Sequence, residues 1–245
     1  MSASEEYTVP GESSFPTHAE VDHYLLPKLA TASSPAADPS LPLMEAHALA
    51  SGLPSIAVSP LQGQFLTVLV LSIGAKRVLE VGTLAGVSTF FLAKGLPEDG
   101  QLDTLEVSEK HAQVAQDNFE RIGIVPKPRV HVGPASETLR KMKAPVEGLL
   151  YDFVFIDADK AGTLEYVKQS LRMLRKGGLI VIDNAIRGGR VALTEAQDPD
   201  PEVTGMRALF DWIEEDDGRT VLANVTQTVG AKFYDGFAIL TKLVN

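Results

Sequence analysis

The 245-residue sequence contains no cysteine. Disulfide frameworks, thiolate-ligated zinc, iron–sulfur clusters and thiol catalysis are therefore excluded, and the absence fits a reducing compartment. Basic residues are also few, with 22 Lys and Arg against 32 Asp and Glu, which gives a net charge of −10. Because this charge repels phosphate backbones, we expect no nucleic-acid partner.

Long apolar runs are missing as well. The most apolar stretch, residues 65–73, is far shorter than the roughly 20 residues needed to cross a bilayer, and the first residues lack the pattern of a signal peptide. We therefore expect a cytoplasmic protein without a membrane partner. Residues 1–14 are polar and acidic and are expected to form a flexible tail before a single domain at 15–245, which begins with a helical appendage at 15–52.

From residue 77 onward the sequence alternates between predicted strands and helices. Apolar or β-branched runs predict seven strands, at 77–81, 102–107, 129–132, 152–156, 179–182, 221–228 and 237–243. Helical periodicity occurs at 63–73, 89–93, 109–122, 136–142, 164–174 and 203–215. This order predicts an α/β, Rossmann-like, doubly wound sheet that is mostly parallel, with helices on both faces. The last two strands, joined by a turn near 234–236, would form an antiparallel edge, and the longest loop, 187–202, would be a substrate lid or a solvated loop.

The first strand leads into a glycine turn, E-V-G-T-L-A-G at residues 80–86, at the edge where open α/β sheets bind ligands. The glycines would let a cofactor approach the backbone, although a tight turn without a ligand remains an alternative. The turn lacks the middle glycine of G-x-G-x-x-G, which disfavours a nicotinamide cofactor without excluding it.

Glu106 ends the next strand, roughly 20 or more residues further on, where a ribose-binding carboxylate is expected. Its two oxygens could accept hydrogen bonds from both ribose hydroxyls. The alternative is an acid that caps the helix beginning at Ser108 and Glu109. Together with the glycine turn, Glu106 favours an adenosine-containing cofactor.

Two further apolar strands each deliver carboxylates at their carboxyl ends, in the runs F-V-F-I-D-A-D-K (153–160) and L-I-V-I-D-N (179–184). Asp157, Asp183 and the carbonyl of Asn184 offer hard oxygen ligands that suit Mg²⁺, Mn²⁺ or Ca²⁺. The alternative is a pair of helix caps with a salt bridge from Lys160.

These motifs, in this order, resemble those of class I S-adenosylmethionine (SAM)-dependent O-methyltransferases, in the cation-dependent family that includes caffeoyl-CoA and catechol O-methyltransferases. The resemblance covers nearly the whole chain from Leu53 onward. It is carried by residues 58–66, 79–88, 133–135, 157–160 and 183–184.

The resemblance implies a role for individual residues. SAM would be held by Val58, Glu80, Gly82, Thr83, Ser88, Glu106, Ala135, Asp157 and Asp159. A divalent cation, in the first place Mg²⁺, would be bound by Asp157, Asp183 and Asn184, and Lys160 would be the general base, with Asp157 also catalytic. The plant enzymes have a Trp-Asn pair after the Asp-Asn motif, whereas this chain has Ala185-Ile186-Arg187-Gly188. The family also implies a homodimer.

The predicted chemistry is methyl transfer to one oxygen of a vicinal-dihydroxy aromatic of the catechol, caffeoyl or polyphenol type, a small phenolic substrate whose hydroxyl is acidified by the cation. A nicotinamide-dependent oxidoreductase is the alternative enzyme, but it would leave Asp157, Asp183 and Asn184 without a task. A non-catalytic SAM-binding protein is the other alternative, yet neither the metal set nor Lys160 is damaged. Arg187 and Arg190 could recognise an acidic substrate group or offset local acids, and the five histidines are expected to be solvated or packed.

Overall fold

The computed structural model describes residues 16–142, 149–229 and 234–245, so the predicted tail at 1–14 lies outside the described residues. The helices are α1 His18–Leu29, α2 Ser40–Ala50, α3 Pro60–Ser72, α4 Val87–Lys94, α5 Glu109–Ile122, α6 Ala135–Lys141, α7 Thr163–Leu171 and α8 Pro201–Asp216. The strands are β1 Arg77–Val81, β2 Gln101–Glu106, β3 Arg129–Val132, β4 Tyr151–Ile156, β5 Leu174–Ile182, β6 Val221–Val229 and β7 Tyr234–Lys242. Short 3-10 helices occur at Pro35–Ala37, Lys160–Gly162 and Arg187–Ala192.

The strands form one seven-stranded sheet in the order β3-β2-β1-β4-β5-β7-β6. The first five strands in this order are parallel, and β7 is antiparallel to both β5 and β6. The prediction of a mostly parallel sheet with an antiparallel edge is therefore confirmed. Strand order reverses between β1 and β4, which is the point where open α/β sheets bind their ligands.

Side chains of the central strands alternate between two cores, one on each face of the sheet. Val78 of β1 and Phe153 and Phe155 of β4 pack with α3, α4 and α5 on one face. Leu79 of β1 and Val154 of β4 pack with α6, α7 and α8 on the other. Because both faces are covered, β4 (Y-D-F-V-F-I) is apolar at every position but one.

Before the sheet, the described residues form the helices α1, α2 and α3. Thr17 caps α1 in a capping box with Glu20, and α1 has no buried residue. In contrast, α2 buries Leu41, Met44 and Ala48. No helix among the described residues is long and apolar enough to span a membrane.

Several predicted boundaries are wrong, and β5 begins at Leu174 instead of at residue 179. Residues 234–236 do not form a turn, because they belong to β7 and pair with residues 227–229 of β6. The helix predicted at 164–174 ends at Leu171, since Leu174 is already the first residue of β5 and pairs with Tyr151. The predicted loop at 187–202 contains the 3-10 helix Arg187–Ala192, and α8 begins at Pro201.

Candidate active site

A cavity of about 730 Å³ lies at the carboxyl ends of β1, β2, β4 and β5. Eleven of the twelve site residues predicted from the sequence line it: Val58, Gly82, Thr83, Ser88, Glu106, Ala135, Asp157, Asp159, Lys160, Asp183 and Asn184. Glu80 is the exception. The sheet thus brings the predicted cofactor and metal residues to one cavity at the reversal of strand order.

Gly82 follows β1 and occupies a position that requires glycine. Its φ of +102° is rarely adopted by other residues, and a Cβ placed on it would lie 2.2 Å from the carbonyl oxygen of Asp157. The turn then continues to Gly86, which caps α4 with a φ of +83°. This close approach joins the ends of β1 and β4 and leaves the backbone of the turn facing the cavity.

Glu106 is buried at the end of β2 and binds the glycine turn. Its Oε2 accepts hydrogen bonds from the backbone N–H groups of Thr83 (3.2 Å) and Leu84 (2.8 Å). Its Oε1 accepts one from the backbone of Ser108 (2.9 Å) and lies 3.5 Å from Nδ1 of His111. The helix-capping alternative is wrong for Glu106, because the hydroxyl of Ser108 caps α5, whereas the Glu106 carboxylate holds the glycine turn and lines the cavity.

Glu80 lies beneath the cavity wall, with no exposed surface. Its Oε2 accepts hydrogen bonds from the hydroxyls of Thr89 (2.5 Å) and Thr104 (2.6 Å), while Oε1 has no hydrogen-bond partner among the described residues. Burial raises the pKa of Glu80 to about 7, although neighbouring hydroxyls act in the opposite direction. In this structure Glu80 supports α4 and β2 from below the cavity.

Asp157 and Asp183 occupy equivalent positions at the ends of neighbouring strands. Ile156 of β4 pairs with Ile182 of β5, and each is followed by one of the two aspartates. Adjacent strands lie about 4.8 Å apart, so the two carboxylates face the cavity side by side. The pKa of Asp183 is raised, first by burial and then by the negative charge of Asp157.

Lys160 is 3% exposed and lies against Asp157, with 2.8 Å between Nζ and Oδ1. Its backbone N–H donates to Oε2 of Glu202 on α8 at 2.9 Å. Gly205, one turn further along α8, packs so closely that a Cβ there would lie 2.3 Å from the carbonyl oxygen of Lys160. Helix α8 therefore fixes the backbone that presents the lysine.

Asp159 lines the cavity but is also engaged within the fold. Its Oδ1 accepts a hydrogen bond from the hydroxyl of Tyr166 (2.6 Å), and its Oδ2 accepts one from the backbone of Gly162 (3.0 Å). This carboxylate raises the pKa of Tyr166, although burial of the phenol is the larger cause. The helix-capping alternative is thus correct for Asp159, whose carboxylate caps the 3-10 helix Lys160–Gly162.

Several cavity residues were not predicted from the sequence. Asp235 of β7 is buried, and its Oδ1 accepts hydrogen bonds from the backbone N–H groups of Ile186 (3.1 Å), Arg187 (3.1 Å) and Gly236 (2.9 Å). Glu202 and His111 also line the cavity. Asp235 and Glu202 come from elements distant in sequence, and no local motif marks them; His111 lies in the first turns of α5, close to Glu106.

The two arginines that follow β5 have different surroundings. Arg190 forms ion pairs with Asp198 (2.7 Å) and Asp200 (2.8 Å), so it offsets local acids. Arg187 lines the cavity instead. Two of the other histidines have packing roles, since His47 contacts Asn118 and His131 contacts Asp103, each at 2.8 Å.

The chain is similar to known proteins in sequence and in structure. A family model described as O-methyltransferase matches residues 33–233. A catechol O-methyltransferase of Mycobacterium tuberculosis is 43% identical over 202 residues, which are 82% of this chain and 88% of that protein. A catechol O-methyltransferase of Niastella koreensis is 40% identical over 89% of this chain and 95% of its own length.

A solved structure of an O-methyltransferase from Bacillus cereus, in complex with SAH, superposes with a TM-score of 0.82 at 38% identity. The match covers 91% of this chain and 97% of that chain. Together with the seven-stranded fold and the lined cavity, these similarities confirm the resemblance seen in the sequence. The chain belongs to the family of SAM-dependent O-methyltransferases.

Proposed function

We propose that this enzyme transfers a methyl group from SAM to one oxygen of a vicinal-dihydroxy aromatic, with the help of a divalent cation. The observation that carries the proposal is the position of Asp157, Asp183 and Lys160, which line the same cavity as the glycine turn and Glu106. The names of the two catechol O-methyltransferases described above support this class of acceptor.

The glycine-turn half of the cavity suits SAM. Gly82 offers backbone with no side chain in the way, and Glu106 presents a carboxylate beside it for the ribose hydroxyls. Among the described lining residues, six carboxylates accompany only two cationic side chains. This excess of negative charge favours a cationic sulfonium.

The other half suits a hard divalent cation. Asp157 and Asp183 are close enough for the charge of Asp157 to raise the pKa of Asp183, and among the described residues Lys160 alone forms an ion pair with Asp157. Two carboxylates and an amide oxygen are ligands of the kind that Mg²⁺ binds. Within the described residues, no group of three or more His, Cys, Asp and Glu side chains is arranged to hold a metal ion, so the proposed set depends on Asn184 for its third ligand.

Different residues would activate the acceptor hydroxyl, take up its proton and align the reacting atoms. A divalent cation at Asp157, Asp183 and Asn184 would supply Lewis acidity that lowers the pKa of an acceptor hydroxyl. Lys160 Nζ lies beside the same carboxylate and, as the neutral amine, would take up the hydroxyl proton. The walls would hold acceptor oxygen, methyl carbon and sulfur in line, which replaces a bimolecular encounter with a unimolecular step.

Substitution of Asp183 by asparagine tests the proposal. The change keeps the shape of the side chain but removes one anionic ligand, so we expect at least a 10-fold rise in the Mg²⁺ concentration needed for half-maximal transfer to catechol. Calorimetric SAM affinity should stay within about 2-fold. The matched control is Asp198→Asn, which changes an aspartate outside the cavity.

An Asp183→Asn enzyme with the wild-type Mg²⁺ requirement would contradict the metal site. Loss of SAM affinity together with transfer would instead show that the variant has damaged the cofactor site. A homodimer remains a prediction of the family resemblance, and a cytoplasmic location remains a prediction from the sequence.

A further inference from the structure

Arg187 is one of two cationic side chains in the described lining of the cavity, beside six acidic ones. No acidic side chain of the described residues lies within 4.0 Å of its guanidinium. Its Nε is inaccessible and has no hydrogen-bond partner in the described part of the chain. A buried donor left unpaired is costly, so this position favours a ligand that supplies an acceptor.

The backbone of Arg187 is held in a defined place. Its N–H donates to Oδ1 of Asp235, and its φ is +51°, followed by positive φ values at Gly188 and Gly189. Arg187 comes three residues after Asn184, so the two Cα atoms are at most about 11 Å apart. The backbone that carries the guanidinium is therefore held in place near the proposed site for the dihydroxy group.

Arg190, in the same segment, forms ion pairs with acidic side chains and serves as a comparison for Arg187. Its guanidinium is shared between Asp198 and Asp200, away from the cavity. Arg187 has neither contact. A planar guanidinium with free N–H groups binds a carboxylate through two parallel hydrogen bonds, which is the geometry that it recognises best.

On the basis of the proposed function, we infer that Arg187 binds a carboxylate carried by the methyl acceptor. The acceptor class is then a vicinal-dihydroxy aromatic acid, with the diol at Asp157, Asp183 and Asn184 and the acid group at Arg187. The segment that carries Arg187 is also where the sequence departs from the plant enzymes.

The test compares two acceptors that share one diol, 3,4-dihydroxybenzoate and the uncharged 3,4-dihydroxybenzaldehyde. In Arg187→Gln we expect kcat/KM to fall about 10- to 100-fold for the acid, the range for hydrogen bonds between charged groups, and less than about 3-fold for the aldehyde. Arg187→Lys should lie between, because it keeps the charge but not the paired N–H groups. The matched control Arg190→Gln should leave the ratio of the two kcat/KM values unchanged.

An equal loss for both acceptors, or no loss for the acid, overturns the inference. The proposed function survives either result, because in both cases the wild-type enzyme methylates a vicinal-dihydroxy aromatic. If the wild-type enzyme methylates neither acceptor, the proposed function fails, and calorimetric binding of 3,4-dihydroxybenzoate in the presence of SAH decides the inference. Binding at least 10-fold tighter to wild type than to Arg187→Gln supports it, and equal or absent binding overturns it.

Discussion

Replacing Glu80 with glutamine should change how the stability of the protein depends on pH. The carboxyl group is buried on the α4 side of the sheet, and burial raises its pKa from 4.5 to about 7. Between these values the folded protein keeps a proton that the unfolded chain has lost. The free energy of unfolding therefore decreases as pH rises through this range.

The size of the effect follows from the two pKa values. At about 1.4 kcal/mol per pH unit, a rise from 4.5 to about 7 corresponds to roughly 3 kcal/mol once both states are ionised. Most of this, roughly 2 to 3 kcal/mol, is lost between pH 5 and pH 8. Glutamine cannot ionise, so Glu80→Gln should gain roughly 2 to 3 kcal/mol relative to wild type over that interval.

Urea denaturation of both proteins at pH 5 and pH 8 measures this difference. Any fixed cost of placing an amide beside Thr89 and Thr104 cancels, because it is the same at both pH values. Glu98→Gln, at an exposed position in the turn after α4, is the control and should show no such change. If the stability difference between Glu80→Gln and wild type were the same at both pH values, the raised pKa of the Glu80 carboxyl group would be refuted.

Two further predictions concern the cavity walls. Gly82→Ala should destabilise the fold by about 1–3 kcal/mol and abolish SAM binding, because the new Cβ would meet the carbonyl oxygen of Asp157. The control Gly74→Ala, at a φ of +59° with nothing within 4 Å, should cost only about 1 kcal/mol. Equal losses of stability in thermal unfolding would contradict the predicted clash at Gly82. Glu202→Ala should lower kcat about 10-fold with little change in KM for SAM, because it frees the backbone of Lys160, and Glu202→Gln should restore most of the activity. A parallel rise in KM, or no rescue by glutamine, would argue against a positioning role for Glu202.

Much of the fold could be predicted from local patterns. The bounds of β1, β3 and α5 coincide with the predicted ones, since short apolar or β-branched runs and helical periodicity are local signals. The turn expected at Tyr234-Asp235-Gly236 was wrong because Asp-Gly also suits a strand under tertiary constraint. A Cβ on Gly236 would lie 2.7 Å from the carbonyl oxygen of Thr226, so glycine is needed there for close strand pairing.

The candidate site likewise contains residues that could be predicted from local patterns and residues that could not. Asp157, Lys160 and Asp183 could be predicted because each stands at a strand end within a contiguous motif. Glu202 and Asp235 could not, since their partners at Lys160 and at 186–187 lie 42 to 49 residues away along the chain. Similarly, the sequence assigned the same two alternative roles to Arg187 and Arg190. Only the tertiary structure shows that Arg187 lines the cavity and that Arg190 forms ion pairs.

The most direct measurement is methyl transfer from SAM to catechol in the presence of Mg²⁺, then with excess EDTA, and then with Mg²⁺ restored. The proposed mechanism predicts transfer that EDTA abolishes and Mg²⁺ restores, with SAM affinity unchanged throughout. Transfer that continues at the same rate in EDTA would contradict the divalent-cation site at Asp157, Asp183 and Asn184.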